Sequence, residues 1–336
     1  MRIIRGDERL ADEHRGAVMA IGNFDGIHRG HQAVLSSVVE LARERGSAAG
    51  LITFAPHPRT FFSPHNPVFR IASIDLKSRL IRALGLDFMV VLDFNYDLAA
   101  LSPDRFVADI LADRLGVAHV VTGADFRFGK ARAGDIDTLR QLGGEHGFEV
   151  TAIDPVGDPH GEMPHYSSTS VRQALLHGNP RAAADILGYW WTVLGEVIRG
   201  DQRGRTIGFP TVNIVLDENS APRLGIYAVR VRSGDDHGTE TWRGAGYVGR
   251  RPTFDKEGVV LEVFLFDHSG DLYGRNLMVE FIEFIRGDQK FASVDELKSQ
   301  MDDDCREIER VLRALERDGD PMTAYVLGDA QAKGAL

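Results

Sequence analysis

Cysteine is nearly absent from this sequence: Cys305 is the only one in 336 residues. A lone thiol cannot close an intramolecular disulfide, which fits a reducing compartment. An excess of positive charge is missing too. Asp and Glu number 49 against 39 Lys and Arg, for a net charge of −10. That balance argues against a nucleic-acid or anionic-membrane surface as the main partner, while leaving room for local basic pockets that hold a nucleotide. No run approaches the roughly 20 apolar residues of a membrane span. The first residues, MRIIRGDERLADEH, hold no apolar core of signal-peptide length. There is no internal repeat, no low-complexity tract and no GxxxxGKS or GxxxxGKT loop; the stretch Gly200-Asp201-Gln202-Arg203-Gly204-Arg205-Thr206 comes nearest. These absences leave a cytoplasmic protein as the expectation, with no membrane and no nucleic acid among its partners. What is present is globular, 43% hydrophobic and 26% charged, and too long for one comfortable core, so two domains are expected.

The first half alternates strand and helix signals. Apolar runs at 18–21, 50–54, 88–94, 119–122 and 148–153 read as strands. Helical periodicity at 32–45, 75–84, 105–115 and 135–146 falls between them. That order implies a doubly wound parallel sheet, whose ligands bind outside the carboxyl ends of the strands. The polar runs after Ile21, Phe54 and Thr122 stand at such ends and are expected to converge on one crevice. The second half turns to short β segments at 191–198, 227–231, 244–248, 259–267 and 277–285, then a long amphipathic helix over 292–315. A small antiparallel barrel with a C-terminal helix is the expectation. The boundary is set near Gly188, giving domains 1–188 and 189–336, with a frayed tail from Asp318.

The stretch 17–31, AVMAIGNFDGIHRGH, joins an apolar strand to a glycine-punctuated turn and then to two histidines, His28 and His31, at a helix start. Strand, tight turn and helix N-terminus aim backbone N–H groups at an anion. Two imidazoles there can donate hydrogen bonds to a polyphosphate. The same pair also reads as part of a zinc site, although no Cys cluster or third His stands near, or as two solvated histidines. Ser167-Ser168-Thr169-Ser170 before Val171-Arg172 reads either as a helix cap or as a second phosphate-holding helix start with Arg172 as a charge clamp. In Gly123-Ala124-Asp125-Phe126-Arg127-Phe128-Gly129, two aromatics flank a cation; they suit stacking on a planar ring, or are core aromatics beside an exposed arginine.

GNFDGIHRGH, TFAPHPR, GADFRFGKARAGD and SSTSVR, in this order and spacing, resemble the adenylyltransferase module of the prokaryotic bifunctional riboflavin kinase/FMN adenylyltransferase (FAD synthetase) family. The resemblance covers nearly all of residues 1–188. It implies a nucleotidyltransferase fold in which Gly22, Asn23, Phe24, His28 and His31 bind ATP phosphates, with His28 and His31 catalytic. Ser168, Thr169 and Arg172 would clamp the triphosphate. Phe62, Asp125 and Phe128 would contact the flavin. One departure is GDPHGEMPHY before the serine run, polar where an apolar strand is expected.

Gly244-Ala245-Gly246-Tyr247-Val248-Gly249 matches GxGxxG, but Arg251-Pro252 follows at once and no βαβ pattern surrounds it, which argues against a dinucleotide fold. The run GDQRGRTIGFPTVNI at 200–214 is basic and glycine-rich. Thr211 and Asn213 share a face if extended, as neutral oxygen ligands for Mg²⁺ beside phosphates, or simply as part of an edge strand. Glu262 interrupts a strand face that also carries Val260, Phe264 and Phe266. A carboxylate there is either a general base or the partner of an arginine such as Arg250 or Arg251. GDQRGRTIGFPTVNI, LGIYAV, GRRPTF, LEVFLFD and DLYG resemble the riboflavin kinase module of the same family. That implies a six-stranded barrel, Gly204, Arg205, Thr211 and Asn213 at Mg-ATP, Thr211 and Asn213 as metal ligands, and Glu262 as catalytic base. The expected partners are riboflavin, FMN, FAD and ATP, with Mg²⁺ as cofactor, in a monomer or weak homo-oligomer.

Overall fold

The computed structural model describes residues 1–6, 8–157, 166–200, 208–216, 222–234, 240–253 and 256–336, with only the backbone described at 251–253 and 256–258. It divides into two units, Met1–Val68 with Lys77–Ser167, and Phe69–Leu76 with Ser168–Leu336.

The first unit is built on a six-stranded parallel sheet. Its strands are β1 (Arg2–Arg5), β2 (Val18–Ile21), β3 (Ala49–Ala55), β4 (Phe88–Asp93), β5 (His119–Gly123) and β6 (Glu149–Ile153), in the order β1-β4-β3-β2-β5-β6. The order reverses at β2, whose neighbours are β3 and β5. A crevice therefore opens outside the carboxyl ends of β2 and β5. β1 escaped the sequence reading because its only buried residue is Ile4 between exposed arginines; pairing with β4, not its own pattern, makes it a strand. Helix α1 (Arg29–Arg45) ends on Gly46 in the left-handed conformation, which a glycine adopts without a Cβ penalty. Short helix α2 (Pro58–Phe62), helix α3 (Ile74–Ala83), short α4 (Tyr96–Ala100), and α5 (Pro103–Arg105) continuing as the wider turns of Phe106–Arg114, carry the chain to β5. Helix α6 (Ile136–His146) precedes β6. The core is contributed by sheet residues such as Met19, Ile52 and Val120 and by Val107, Leu111 and Leu139 from the helices.

The second unit opens with α7 (Ser168–Leu176) and α8 (Pro180–Leu187). Six antiparallel strands follow: β7 (Thr192–Ile198), β8 (Thr211–Val215), β9 (Gly225–Ser233), β10 (Thr241–Thr253), β11 (Lys256–Leu265) and β12 (Asn276–Arg286). They close as a barrel in the order β10-β11-β8-β7-β12-β9. Gly244 and Gly246 lie in mid-strand on β10 rather than in a turn before a helix. A Cβ on Gly244 would stand 2.8 Å from the Phe264 carbonyl, and one on Gly246 2.9 Å from Val229. The GxGxxG pattern thus records tight barrel packing. The long helix Val294–Asp318, capped by Ser293, lays Ile308, Val311, Leu312 and Leu315 against Ala228, Phe266 and Ile282 of the barrel.

The tail after Asp318 corrects the expectation of fraying. Pro321–Ala324 and Val326–Ala332 are helical. Gln331 is 1% exposed; its amide exchanges hydrogen bonds with the Trp190 backbone at 2.8 and 3.0 Å. Asp320 accepts the Trp190 indole N–H at 3.0 Å. Glycines and aspartates suggested solvent, but the segment is held by long-range polar partners that no local pattern encodes.

Candidate functional site

Strand β2 ends in the turn Gly22-Asn23-Phe24-Asp25-Gly26-Ile27, whose Phe24 and Ile27 carry left-handed φ of +44° and +42°. Such angles strain any residue with a Cβ and persist where the surroundings enforce them. The turn delivers His28 as the N-cap of α1: its Nδ1 accepts the His31 backbone N–H at 3.3 Å. An accepting Nδ1 puts the proton of the neutral ring on Nε2, leaving that atom a donor. The His28 and His31 rings stack with centroids 3.6 Å apart, and the Phe24 ring lies 4.8 Å from His31. His28 is buried. The two imidazoles therefore form one packed cluster with Phe24.

Beside this turn lies a cavity of about 700 Å³, walled at the carboxyl ends of four strands. Gly22 and Asn23 follow β2, Phe54 closes β3, Phe94 follows β4, and Asp125 to Gly129 follow β5. The expected convergence of polar loops on one crevice is what the sheet order produces. Of the anticipated residues, Gly22, Asn23, Phe62, Asp125 and Phe128 line this cavity; Phe24, His28 and His31 do not. Phe62 is 64% exposed at its mouth and packs edge-on to Phe61 and Phe94. Phe128 is a core aromatic as well as a wall, parallel to Phe126 at 5.7 Å. Arg59, Arg127 and Arg132 add three guanidiniums, and Ala131 and Arg132 hold left-handed φ of +55° and +59°. Aromatic walls with a cationic rim suit a planar ring carrying an anionic tail.

In the second unit, Ser168 and Thr169 open α7, and the Arg172 Nε donates to the Phe69 carbonyl at 2.6 Å. On the barrel, Thr211 and Asn213 lie on β8, and Glu262 on β11 pairs in register with Asn213 on one side and Tyr247 on the other. Cross-strand partners share a face, so Asn213, Glu262 and Tyr247 form one row. Thr211 stands diagonally next to them, its hydroxyl donating to Glu262 Oε2 at 3.5 Å. The sequence placed Glu262 on a strand face with Val260, Phe264 and Phe266, and the strand alternation keeps them together. The structure decides which side that face is: Leu261 and Val263 fill the barrel interior at 0% exposure, and Glu262 is half-buried on the outer face. Its desolvation cost is correspondingly smaller, and it stays reachable. Asn213 is 7% exposed because the chain folds back over it; a Cβ on Gly200 would stand 2.5 Å from its amide. Thr211 also borders a second cavity of about 480 Å³ with Pro210, His268, Asp271 and Tyr273; Asn213 and Glu262 do not. Gly204 and Arg205 lie outside the described residues, as does most of the polar stretch before the serine run.

Sequence reasoning missed Lys77, buried beneath the β2 turn, and Tyr247 beside Glu262. A lysine in an amphipathic helix and a tyrosine in a strand give no local signal; only the tertiary register brings them in.

The chain thus pairs a parallel-sheet unit, with a crevice at its strand ends, with a closed barrel that carries its own polar row. The family model for FAD synthetase matches residues 10–169 and that for riboflavin kinase residues 187–312. The bifunctional riboflavin kinase/FMN adenylyltransferase of Escherichia coli (strain K12) is 38% identical over 302 residues, covering 90% of this chain and 95% of the relative. That of Pseudomonas fluorescens is 40% identical over 307 residues, covering 90% and 96%. The chain belongs to the bifunctional riboflavin kinase/FMN adenylyltransferase family. Among solved structures, a Streptococcus pneumoniae protein described as a macrolide-efflux protein aligns with a TM-score of 0.77 at 30% identity, covering 92% of this chain and 99% of that one. The efflux description belongs to that protein. Among the described residues here, no helix is long and apolar enough to cross a membrane.

Proposed function

We propose that the chain makes FAD from riboflavin in two steps, phosphorylation in a module of residues 189–336 and adenylylation in a module of residues 1–188. In the first step Glu262 accepts the proton of the ribityl 5′-hydroxyl as its oxygen attacks the γ-phosphorus of ATP; the bond to the β-phosphate oxygen breaks, giving FMN and ADP. Thr211 and Asn213 would hold Mg²⁺. Two neutral oxygens beside a carboxylate make a donor set suited to a hard cation that takes the rest of its shell from phosphate and water. Bound there, the ion would supply positive charge beside the transferring phosphoryl group. Gly204 and Arg205 would wrap the phosphates.

In the second step an FMN phosphate oxygen attacks the α-phosphorus of another ATP, and pyrophosphate leaves. No covalent enzyme intermediate is needed. His28 and His31 donate hydrogen bonds to the charge that builds on the phosphoryl oxygens, assisted by Gly22, Asn23 and Phe24 of the turn. Ser168, Thr169 and Arg172 clamp the triphosphate. Phe62, Asp125 and Phe128 take the flavin in the 700 Å³ cavity. The protein works in the cytoplasm, as a monomer or weak homo-oligomer, with no nucleic-acid partner.

The observation that carries this reading is the occurrence of two separate polar sets, one at the carboxyl ends of a parallel sheet and one on a barrel wall, in a chain matched by both family models. Product analysis on two variants tests it. Glu262→Gln stops riboflavin to FMN and leaves FMN to FAD intact; His31→Ala does the reverse. If either variant impairs both steps equally while folded, the assignment is wrong.

A further inference from the structure

Lys77 lies on α3 and is 4% exposed. An ammonium is rarely enclosed to this degree, because its desolvation must be offset by bonds. Its Nζ donates to the Asn23 carbonyl oxygen at 2.7 Å and to the Thr53 hydroxyl oxygen at 3.1 Å. The Thr53 hydroxyl donates in turn to the same carbonyl at 3.0 Å, and Thr53 is fully buried. Two donors from two separate elements thus grip one carbonyl.

That carbonyl belongs to the peptide joining Asn23 to Phe24. In a trans peptide the C=O and N–H point in opposite directions. Drawing the carbonyl onto Lys77 therefore turns the Phe24 N–H away from the lysine. It also fixes the two residues around the peptide. Asn23 lines the 700 Å³ cavity, and its Oδ1 is buried with no hydrogen-bond partner. Phe24, held at φ +44°, rests its ring 4.8 Å from that of His31. Without the grip, a strained φ at Phe24 has less to enforce it.

We infer that Lys77 is a positioning residue for adenylyl transfer: its buried ammonium, with the Thr53 hydroxyl, locks the Asn23–Phe24 peptide and through Phe24 sets the His31 ring. The inference rests on the proposed role of His28 and His31. It predicts a loss in turnover rather than in binding, since misplacing a stabilising group by an ångström costs rate at an unchanged ground state.

The test uses the full-length protein, with the two reactions assayed separately. Lys77→Met lowers kcat for FMN to FAD by about 10- to 100-fold, while KM for FMN and ATP moves by less than about threefold and riboflavin phosphorylation by less than about twofold. Thr53→Val keeps the ammonium and removes one donor, and costs a smaller factor, about 3- to 10-fold in kcat. Lys77→Met retaining more than half of the wild-type kcat overturns the inference. So does Thr53→Val at wild-type kcat, which also decides the matter if Lys77→Met does not fold. His31→Ala runs alongside. Loss of FAD formation there with Lys77→Met fully active rejects only the lysine's role; FAD formation that survives His31→Ala rejects the site itself.

Discussion

Glu280 sits on β12 with 0% exposure and faces two arginines. Arg230 bonds one carboxylate oxygen, and Arg232 bonds the other at 2.8 Å. Arg230 reaches on to Asp320 at 2.8 Å, and Asp320 also accepts the Trp190 indole N–H. The network ties two barrel strands to the tail. Replacing Glu280 by Gln keeps the shape and removes the charge, leaving two guanidiniums that are each only 15% exposed. Breaking a buried pair on one side costs about 3–5 kcal/mol. The residual solvent contact of both arginines argues for the lower end, about 3 kcal/mol. For a unit of this size each kcal/mol moves Tm by about 2–4 °C, so the expected drop is about 6–12 °C. All three tryptophans of the chain, Trp190, Trp191 and Trp242, lie in this unit, so the assay is thermal unfolding followed by tryptophan fluorescence. A drop of less than about 2 °C would refute the reasoning and show that the network carries no net weight.

Two further outcomes follow from the same kind of accounting. His119 is 4% exposed, bonded to the Thr151 hydroxyl at 2.8 Å, and burial, reinforced by Arg45, holds its pKa below the ordinary histidine value against the opposing pull of Glu149. A base with a depressed folded pKa contributes stability that is present above the unfolded value of about 6.5 and lost as pH falls through the folded one. Tm of the wild type therefore falls more steeply than that of His119→Gln between about pH 7 and pH 5, and parallel curves would contradict this. On the barrel, Gly244→Ala drives a methyl into the Phe264 carbonyl 2.8 Å away and lowers stability by about 1–3 kcal/mol, read as a lower Tm; an unchanged Tm would mean that β10 is not packed as tightly as it looks.

Much of this architecture could be read from the residues. Buried parallel strands announce themselves as apolar runs, and β2 to β6 fall where such runs lie. The switch from βα alternation to short β segments near residue 190 marks the barrel. What could not be read depends on partners far away in the chain. β1 exists because β4 pairs with it. The tail is ordered because Gln331 and Asp320 meet Trp190. Both faces of β11 carry apolar residues, so only closure of the barrel decides that the face with Glu262 is the outside. At the sites, His28, His31, Thr211, Asn213 and Glu262 stood out as polar groups at unusual spacings. Lys77 did not, because its significance lies in touching the Asn23 carbonyl, a backbone atom that carries no sequence signal.

The central claim is that two independent sites in one chain act in series, and complementation in trans tests it most directly. Glu262→Gln and His31→Ala proteins are each incubated with riboflavin, ATP and Mg²⁺, alone and mixed, and FAD is quantified. The account predicts no FAD from Glu262→Gln, only FMN from His31→Ala, and FAD from the mixture as FMN made by one protein is adenylylated by the other. A mixture that accumulates FMN without FAD, from two folded proteins, would contradict it.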